Sequence, residues 1–561
     1  MAAAGDRVSS ATSLCEAFQA TAAARPDAVA LRTPGGLVEI RFADYARRVE
    51  RIAAGLDALG VRRGDTVGLM MANRPEFHLA DAAALHLGAT PFSVYNSSAP
   101  EQISYLFSDA GNRIALCDET FAPRVLAAQE GTGLERVICV DGRPAGATPL
   151  AEVEAMRRPG FDFEAAWRAV AGGDLATLIY TSGTTGPPKG VELTHAGLLA
   201  ELRALAGPLP IFPEDRGISY LPSAHIADRL LFHCFSIAWG MEITCLADAR
   251  RLGAALVDTR PSFFGGVPRV WEKLMAGLQS AGVHDPAALP PEARRAVLEK
   301  AGLDRVRASI CGAAPIPTEV LEYWIALGLC VQEVWGMSEL SGVATVNPRE
   351  AIKVGSVGRP LPGVELALAD DGELLCRGEI AMRGYRNQPE RTAETLDADG
   401  WIHTGDVGEI DDEGYVWIVD RKKELIINAA GKNMSPAWIE QKLKSASPLI
   451  GQAVAIGDRR PYNTALIVLD PDTCAAFARE RGLCDASAAA LSRDEGIRAA
   501  VDAAVERANA RLSRVEQIKR YAILPTDWEP GGDELTPTSK LKRKPIAAKY
   551  ADEIEALYRD G

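Results

Sequence analysis

The stretch Leu178 to Val191 reads LIYTSGTTGPPKGV: a short apolar run, then small hydroxyl residues, three glycines, two prolines and one lysine. Gly183, Gly186 and Gly190 admit positive φ and let backbone amides approach a ligand closely, while Ser182, Thr184 and Thr185 supply hydroxyl donors. A loop of this kind can wrap a phosphate chain, with Lys189 as the cation beside it. It differs from the common nucleotide P-loop, in which the lysine is followed at once by Ser or Thr and then a helix. Here Gly190 follows Lys189, and Pro187 and Pro188 forbid an immediate helix. Composition alone also allows a flexible surface turn.

Other candidates lie further along. In ASICGAAPIP, the small side chains of Gly312, Ala313 and Ala314 would let a flat base lie against the backbone, and in VQEVWGMSELSG, Trp335 offers a stacking face. Glu339 beside a polyphosphate would be repelled unless a cation intervened, so its presence there implies Mg2+. Asp406, in the stretch from Asp399 to Pro436, has two carboxylate oxygens, which match the paired hydroxyls of a ribose. Arg421 can supply a forked donor to ribose or phosphate oxygens. Each of these charges could equally be a solvated surface group. His225, in ISYLPSAHIADRLLF, is a lone histidine among apolar neighbours, more often a satisfied structural residue. The basic run LTPTSKLKRKPIAAKY, with Lys540, reads by default as a solvated face.

The elements that must position these groups follow a strand, helix, strand rhythm. RFADYARRVERIAAGLDALG is an amphipathic helix with Ile52, Leu56 and Leu59 on one stripe, stopped by Gly60. TVGLMM is a strand, PEFHLADAAALHLGA a helix ending near Gly88, and TPFSVYN, IALCDE and RVICVDG restart strands. This predicts a largely parallel sheet covered by helices, an α/β fold. PSFFGGVPRVWEKL suggests a tight turn at Gly265 and Gly266. The C-terminal part reads as a compact strand and helix unit with one long alanine-rich helical region from Ala486 to Leu512.

A chain of 561 residues exceeds one core, and its length alone suggests three or four domain-sized units. A net charge of -14 argues against a nucleic-acid partner while leaving room for one small basic pocket. Ten scattered cysteines with no C-x-x-C pair favour reduced thiols in the cytoplasm. The N-terminal stretch lacks the long apolar core of a secretory signal. No run reaches the roughly 18 apolar residues of a membrane span, and Leu230 to Leu246 reads as buried protein, which leaves only peripheral membrane contact open.

The glycine-rich stretch resembles the phosphate-binding loop of the adenylate-forming superfamily: acyl-CoA synthetases, luciferases and peptide-synthetase adenylation domains. The stretch holding Thr404, Gly405, Asp406, Asp420, Arg421, Lys423 and Gly431 closely resembles the fatty acyl-CoA synthetase signature. The likeness runs from about Ser13 to Tyr558, with several motifs in order, and is greatest to the long-chain fatty acid branch. It replaces the length expectation with two functional units, a large N-terminal adenylating domain over residues 1–420 and a small mobile α+β domain over 421–561.

The resemblance implies that a fatty carboxylate attacks the α-phosphate of ATP, giving acyl-AMP and pyrophosphate, after which the thiol of coenzyme A displaces AMP. Thr184, Thr185 and Lys189 would hold the leaving phosphates, with Thr181, Ser182, Gly183 and Gly186 around them. Gly312, Ala313, Ala314, Trp335, Gly336, Met337 and Ser338 would line the nucleotide. Glu339 and Thr184 would serve Mg2+, and His225 would lie beside the acyl pocket. Lys540 would be the late catalytic lysine, although Ser539 stands where the family more often has glycine. Lys423 would be the hinge, and Gly431 would border the pantetheine passage. Two rivals remain: a fatty acyl-AMP ligase that passes the acyl group to a carrier protein, and a non-catalytic nucleotide-binding regulatory protein.

Overall fold

The computed structural model describes residues 10–181, 187–427, 433–483, 485–536 and 539–559. Of the expected site residues, Ser182, Gly183, Thr184, Thr185, Gly186 and Gly431 lie outside the described residues.

The strands expected near the N-terminus form the parallel heart of an eight-stranded sheet. Thr66–Met70 lies between Thr90–Ser93 and Ile114–Cys117, with Arg136–Cys139 and Ala147–Pro149 beyond. Thr66–Met70 is buried along its whole length, as a parallel strand covered on both faces should be. Helices Phe42–Ala58 and Pro75–His86 pack together, with Ile52 and Leu56 fully buried. On the other side of Thr90–Ser93 the sheet turns antiparallel: Leu175–Thr181 pairs with Lys189–Thr194, and the short strand Gly384–Tyr385 closes the edge. Thr181 opposes Lys189, so the glycine-rich stretch is the connection of this hairpin.

A second sheet runs parallel through Phe263–Gly266, Ala308–Cys311 and Val331–Trp335 before two short antiparallel strands. Gly312 and Gly336 therefore start the loops at the carboxyl ends of neighbouring parallel strands, where open α/β sheets take ligands. Gly265 and Gly266 are strand residues here, which corrects the expected turn. A Cβ on Gly266 would stand 2.9 Å from Tyr220 Oη and 3.2 Å from Trp271 Nε1, so close packing accounts for that glycine. Ile402–Ile410 and Val416–Arg421 belong to an antiparallel sheet whose register sets Asp406 opposite Arg421. The stretch from Leu230 to Leu246 is almost wholly buried, as expected.

The C-terminal part has its own apolar core, built from Ile426, Ile439, Leu443, Ile467 and Val501 among others, around strands Ile450–Ile456, Asn463–Leu469 and Ile518–Ile523. The long helix expected from Ala486 to Leu512 is two helices, Ala488–Leu491 and Glu495–Asn509. Asp494 interrupts it by accepting the N–H of Ile497 and starting a new helix.

Polar groups join this part to the larger one. Arg269 and Lys273, on helix Pro268–Ser280, pair with Asp470 and with Asp472 (2.9 Å). Arg511 pairs with Glu319 at 2.6 Å, and Gln441 donates to the carbonyl of Ile316 at 2.9 Å.

Candidate active site

Lys189 begins the second strand of the hairpin, and its ammonium lies 4.0 Å from the centre of the Tyr385 ring. The hydroxyl of the same tyrosine donates to Glu339 Oε1 at 2.7 Å. Tyr385 thus joins the expected phosphate lysine to the expected metal carboxylate. Glu339 is buried in the short helix Ser338–Leu340, and its carbonyl accepts the N–H of Met382. Among the described residues none donates to Glu339 Oε2. Burial lowers the pKa of Lys189 most; Glu339 raises it, and Arg391, Lys423 and Arg421 lower it. Three further cations thus bear on one half-buried ammonium.

Trp335 ends its parallel strand and donates its indole N–H to Asp406 Oδ2 at 2.8 Å. With 8% of its surface exposed, the indole's visible contribution is to fix this carboxylate. Arg421 Nε meets Asp406 Oδ1 at 2.6 Å. Each carboxylate oxygen keeps a further lone-pair direction, so both can still accept from a ligand. Burial raises the pKa of Asp406, while Arg421, the Trp335 N–H and Lys540 lower it.

The loops beside Trp335 leave no room for side chains. A Cβ on Gly336 would stand 2.1 Å from the carbonyl oxygen of Gly342, and one on Gly312 would stand 2.6 Å from Val334 Cγ2. Ala313, at φ 69°, and Ala314 stand exposed beyond Gly312 and form an open shelf of small residues.

Lys540 comes from the C-terminal part on a tight turn. Thr536 N–H donates to the Lys540 carbonyl and Ser539 N–H to the Thr536 carbonyl, both at 2.8 Å, while Lys540 N–H reaches Thr536 Oγ1 at 3.0 Å. Ser539 has φ 60°, a conformation that favours glycine and gives a physical reason for glycine at this position in the resembling family. The lysine side chain is exposed to solvent in the cleft yet has protein on several sides. That crowding lowers its pKa, Arg421 lowers it further, and Asp406, Glu339 and Glu424 raise it. His225 Nδ1 accepts the N–H of Ala227, capping the turn Ile226–Asp228. Burial, then the charge of Lys540, pushes the imidazole down to about 4. It is neutral at pH 7.

The fold thus sets Glu339, Arg421 and Lys423 within the field of Lys189, and Glu339, Arg421 and Asp406, the last held by Trp335, within the field of Lys540, with His225 also within the field of Lys540. Sequence reasoning missed Tyr385 and Arg391. Arg391 lies in helix Pro389–Thr395, which begins four residues after Tyr385, and has no hydrogen-bond or ion-pair partner among the described residues. Tyr385 had no local signal, because its importance comes from a two-residue strand paired with residues near Lys189.

The AMP-binding enzyme family matches residues 18–386, and the C-terminal domain of AMP-binding enzymes matches 423–561. The chain belongs to the AMP-binding enzyme family. It is 33% identical to the long-chain-fatty-acid–CoA ligase FadD15 of Mycobacterium bovis (strain ATCC BAA-935 / AF2122/97), over 93% of each chain. A Mycobacterium tuberculosis (strain ATCC 25618 / H37Rv) protein provisionally named fatty-acid–CoA ligase fadD11 is 51% identical over 71% of this chain and 76% of its own. Among solved structures, a Mycobacterium tuberculosis fatty acyl CoA synthetase superposes with a TM-score of 0.67 at 25% identity, over 96% of this chain and 99% of that one.

Proposed function

We propose that this chain is an AMP-forming long-chain fatty acid–CoA ligase. The observation that carries the reading is the clustering of Lys189, Arg391, Arg421, Lys423 and Lys540 about Glu339 and Asp406, in a chain of net charge -14. Five cations so placed would repel one another unless a polyanion lay between them, and ATP is that polyanion. The names of the mycobacterial relatives support a fatty acid as the second substrate.

In the first half-reaction a carboxylate oxygen of the fatty acid bonds to the α-phosphorus, and the bond from that phosphorus to the bridging oxygen breaks, releasing pyrophosphate. Lys189, with Arg391 beside it, holds the leaving phosphates, and Lys540 stabilises the charge shared by carboxylate and α-phosphate. Asp406, fixed by Trp335 and Arg421, accepts from the ribose. Alignment supplies much of the acceleration, because a carboxylate is a weak nucleophile.

Mg2+ bound by ATP takes one or two protein carboxylates and keeps several waters. Glu339 suits this role, with one oxygen fixed by Tyr385 and the other accepting from none of the described residues. Among those residues no group of three or more His, Cys, Asp or Glu could hold a metal. The cation would neutralise phosphate charge, with Thr184 as the second candidate ligand.

In the second half-reaction the sulfur of coenzyme A bonds to the acyl carbon, the bond from that carbon to the phosphate oxygen breaks so that AMP leaves, and the thiol proton passes to water. With Lys540 serving the first step, the C-terminal domain would turn away for the thiol to enter. The proposed boundary lies at 420/421 with the pivot at Lys423 and Gly431 beside the pantetheine. One feature supports a boundary in this region: the larger core ends at Val416 and the smaller begins at Ile426, while strand Val416–Arg421 keeps Arg421 paired with Asp406 on the larger side and Asp420 accepts the N–H of Ala437 at the start of the C-terminal helix Pro436–Ala446. A cytoplasmic location is supported by nine free cysteines among the described residues. No helix among those residues is long and apolar enough to cross a membrane.

The test is a panel of acids from short to very long, with ATP and coenzyme A, followed by pyrophosphate release and acyl-CoA detection. Rates should peak with long chains. Acyl-AMP formed without acyl-CoA, and consumed only by a phosphopantetheine carrier, would overturn the acceptor. No pyrophosphate from any acid would overturn the enzyme.

A further inference from the structure

Glu201 lies in helix His195–Leu205 with no exposed surface, and Oε1 accepts the backbone N–H of Val343 at 3.0 Å. Its second oxygen, Oε2, is buried without a partner among the described residues. Burial holds the carboxyl well above the usual carboxylate range. Burying such a group is costly, and packing alone would favour an apolar side chain. The compensation is local, because the Val343 N–H would otherwise be a buried unpaired donor.

What the bond holds is the loop that carries Glu339. From Gly336 to Ala344 the chain folds on itself: Leu340 and Gly342 donate to the Met337 carbonyl at 3.0 and 3.2 Å, and Ala344 donates to the Trp335 carbonyl at 2.8 Å. Ser341, at φ 57°, and Gly342, at φ 135°, turn it sharply, and Ser341 Oγ donates to the Ile380 carbonyl at 2.7 Å. Glu201 also ties this loop, from the helix that begins directly after the strand Lys189–Thr194. Strand and helix are continuous, and Thr194 caps their junction by accepting the Gly197 N–H at 3.0 Å. One stiff piece of chain thus carries Lys189 at one end and grips the Glu339 loop at the other.

We propose that Glu201 is a positioning residue for adenylation, fixing the Glu339 loop at a set distance from Lys189. The inference rests on the reading that Glu339 serves the cation of ATP. Glu201→Met keeps the volume and removes the acceptor; Glu201→Gln keeps the acceptor. Hydrogen exchange of the peptide spanning 337–344 should quicken about tenfold in Glu201→Met and stay near native in Glu201→Gln. The Mg2+ concentration giving half-maximal pyrophosphate release should rise about tenfold in Glu201→Met, change less than about threefold in Glu201→Gln, and leave the KM for the fatty acid unmoved.

Faster exchange with an unmoved Mg2+ dependence would overturn the inference and leave Glu201 a support of the fold. Unchanged exchange would overturn it at the bond itself. If Glu201→Met does not fold, Glu201→Asp withdraws the carboxyl by one methylene and is read the same way. If the native enzyme releases no pyrophosphate, the proposed function fails; the exchange arm still reads the anchor without turnover.

Discussion

The two sides of the cleft are built differently. The nucleotide side is a closed network: Tyr385 bonds Glu339 and packs on Lys189, Trp335 and Arg421 grip Asp406, and Glu201 holds the loop between them. Most of these groups are buried and rest on strands that share one core. The other side is a single exposed lysine on a turn with a left-handed serine, borne by a domain with a separate core. Ion pairs at Asp470, Asp472 and Glu319 help hold that domain against the first. The two exposed pairs, at Asp472 and Glu319, contribute about 0 to 1 kcal/mol each, whereas truncating one buried core side chain costs about 2 to 5 kcal/mol. This is the construction that the proposed rotation requires, with one half that stays and one that lets go.

The largest effect should come from the movable half. Lys540→Ala is expected to slow pyrophosphate release by about 100- to 1,000-fold, the usual result of removing one donor aimed at transition-state charge. ATP affinity, measured by equilibrium binding, should change less than about threefold, because the fixed half binds the nucleotide. A loss of affinity as large as the loss of rate would erase the division between the halves.

How each half could be read from sequence follows from its construction. The expected phosphate loop and Asp406 stood out in the sequence because their chemistry is local: glycines, hydroxyls and a lysine in one short run, and a carboxylate inside a recurring signature; of that loop, residues 182–186 lie outside the described residues. The parallel strands from Thr66 to Cys139 were legible as short apolar runs between turns. Tyr385 was not, since it meets Val191 only by pairing across almost 200 residues of chain. Glu201 was silent for the same reason, as its partner is 142 residues away. The interdomain pairs are ordinary surface charges until two cores bring them together. The break at Asp494 was hidden by high alanine content, although an aspartate N-cap was its available signal.

The fixed half predicts an effect on binding. Asp406→Ala removes a charged acceptor that hydrogen bonds make worth about 1.5 to 3 kcal/mol, so KM for ATP should rise about 10- to 100-fold. The thermal midpoint, followed alongside, should fall only modestly, because Trp335 and Arg421 lose one partner each. If the variant instead unfolds early while its residual folded fraction binds ATP normally, Asp406 braces the fold and does not meet the ribose.

A smaller effect tests the junction. Lys273→Ala combined with Arg511→Ala removes two exposed ion pairs and spares Asp470, which also caps its helix by accepting the Thr473 N–H. Loss of about 1 kcal/mol from this orientation should shift the ratio of the two half-reactions by up to about fivefold. Thioester formation from supplied acyl-AMP should gain relative to adenylation from ATP, and raised salt should shift the native enzyme the same way. A ratio unmoved by both treatments would mean that these pairs do not set the domain balance.

The smallest effect reports the distance between the halves. His225 is held down to about 4, by burial first and by the charge of Lys540 second. In the unfolded chain the imidazole protonates near pH 6.5, so below that pH the unfolded state binds the proton first. The contribution of His225 to stability is therefore complete above about pH 6.5 and is lost as the pH falls towards 4. Lys540→Met removes the cation and leaves the burial. The His225 titration, followed by NMR of the ring protons, should then move up, and because burial is the larger cause it should stay below the ordinary histidine range. Coenzyme A with a non-reactive acyl-AMP analogue should produce the same upward move in the native enzyme, since a turned C-terminal domain carries Lys540 away as surely as the substitution deletes it. A titration that rises with Lys540→Met but not with the paired ligands would keep the lysine at the carbonyl through both steps, and the contrast between a fixed and a movable half would fail at its central residue.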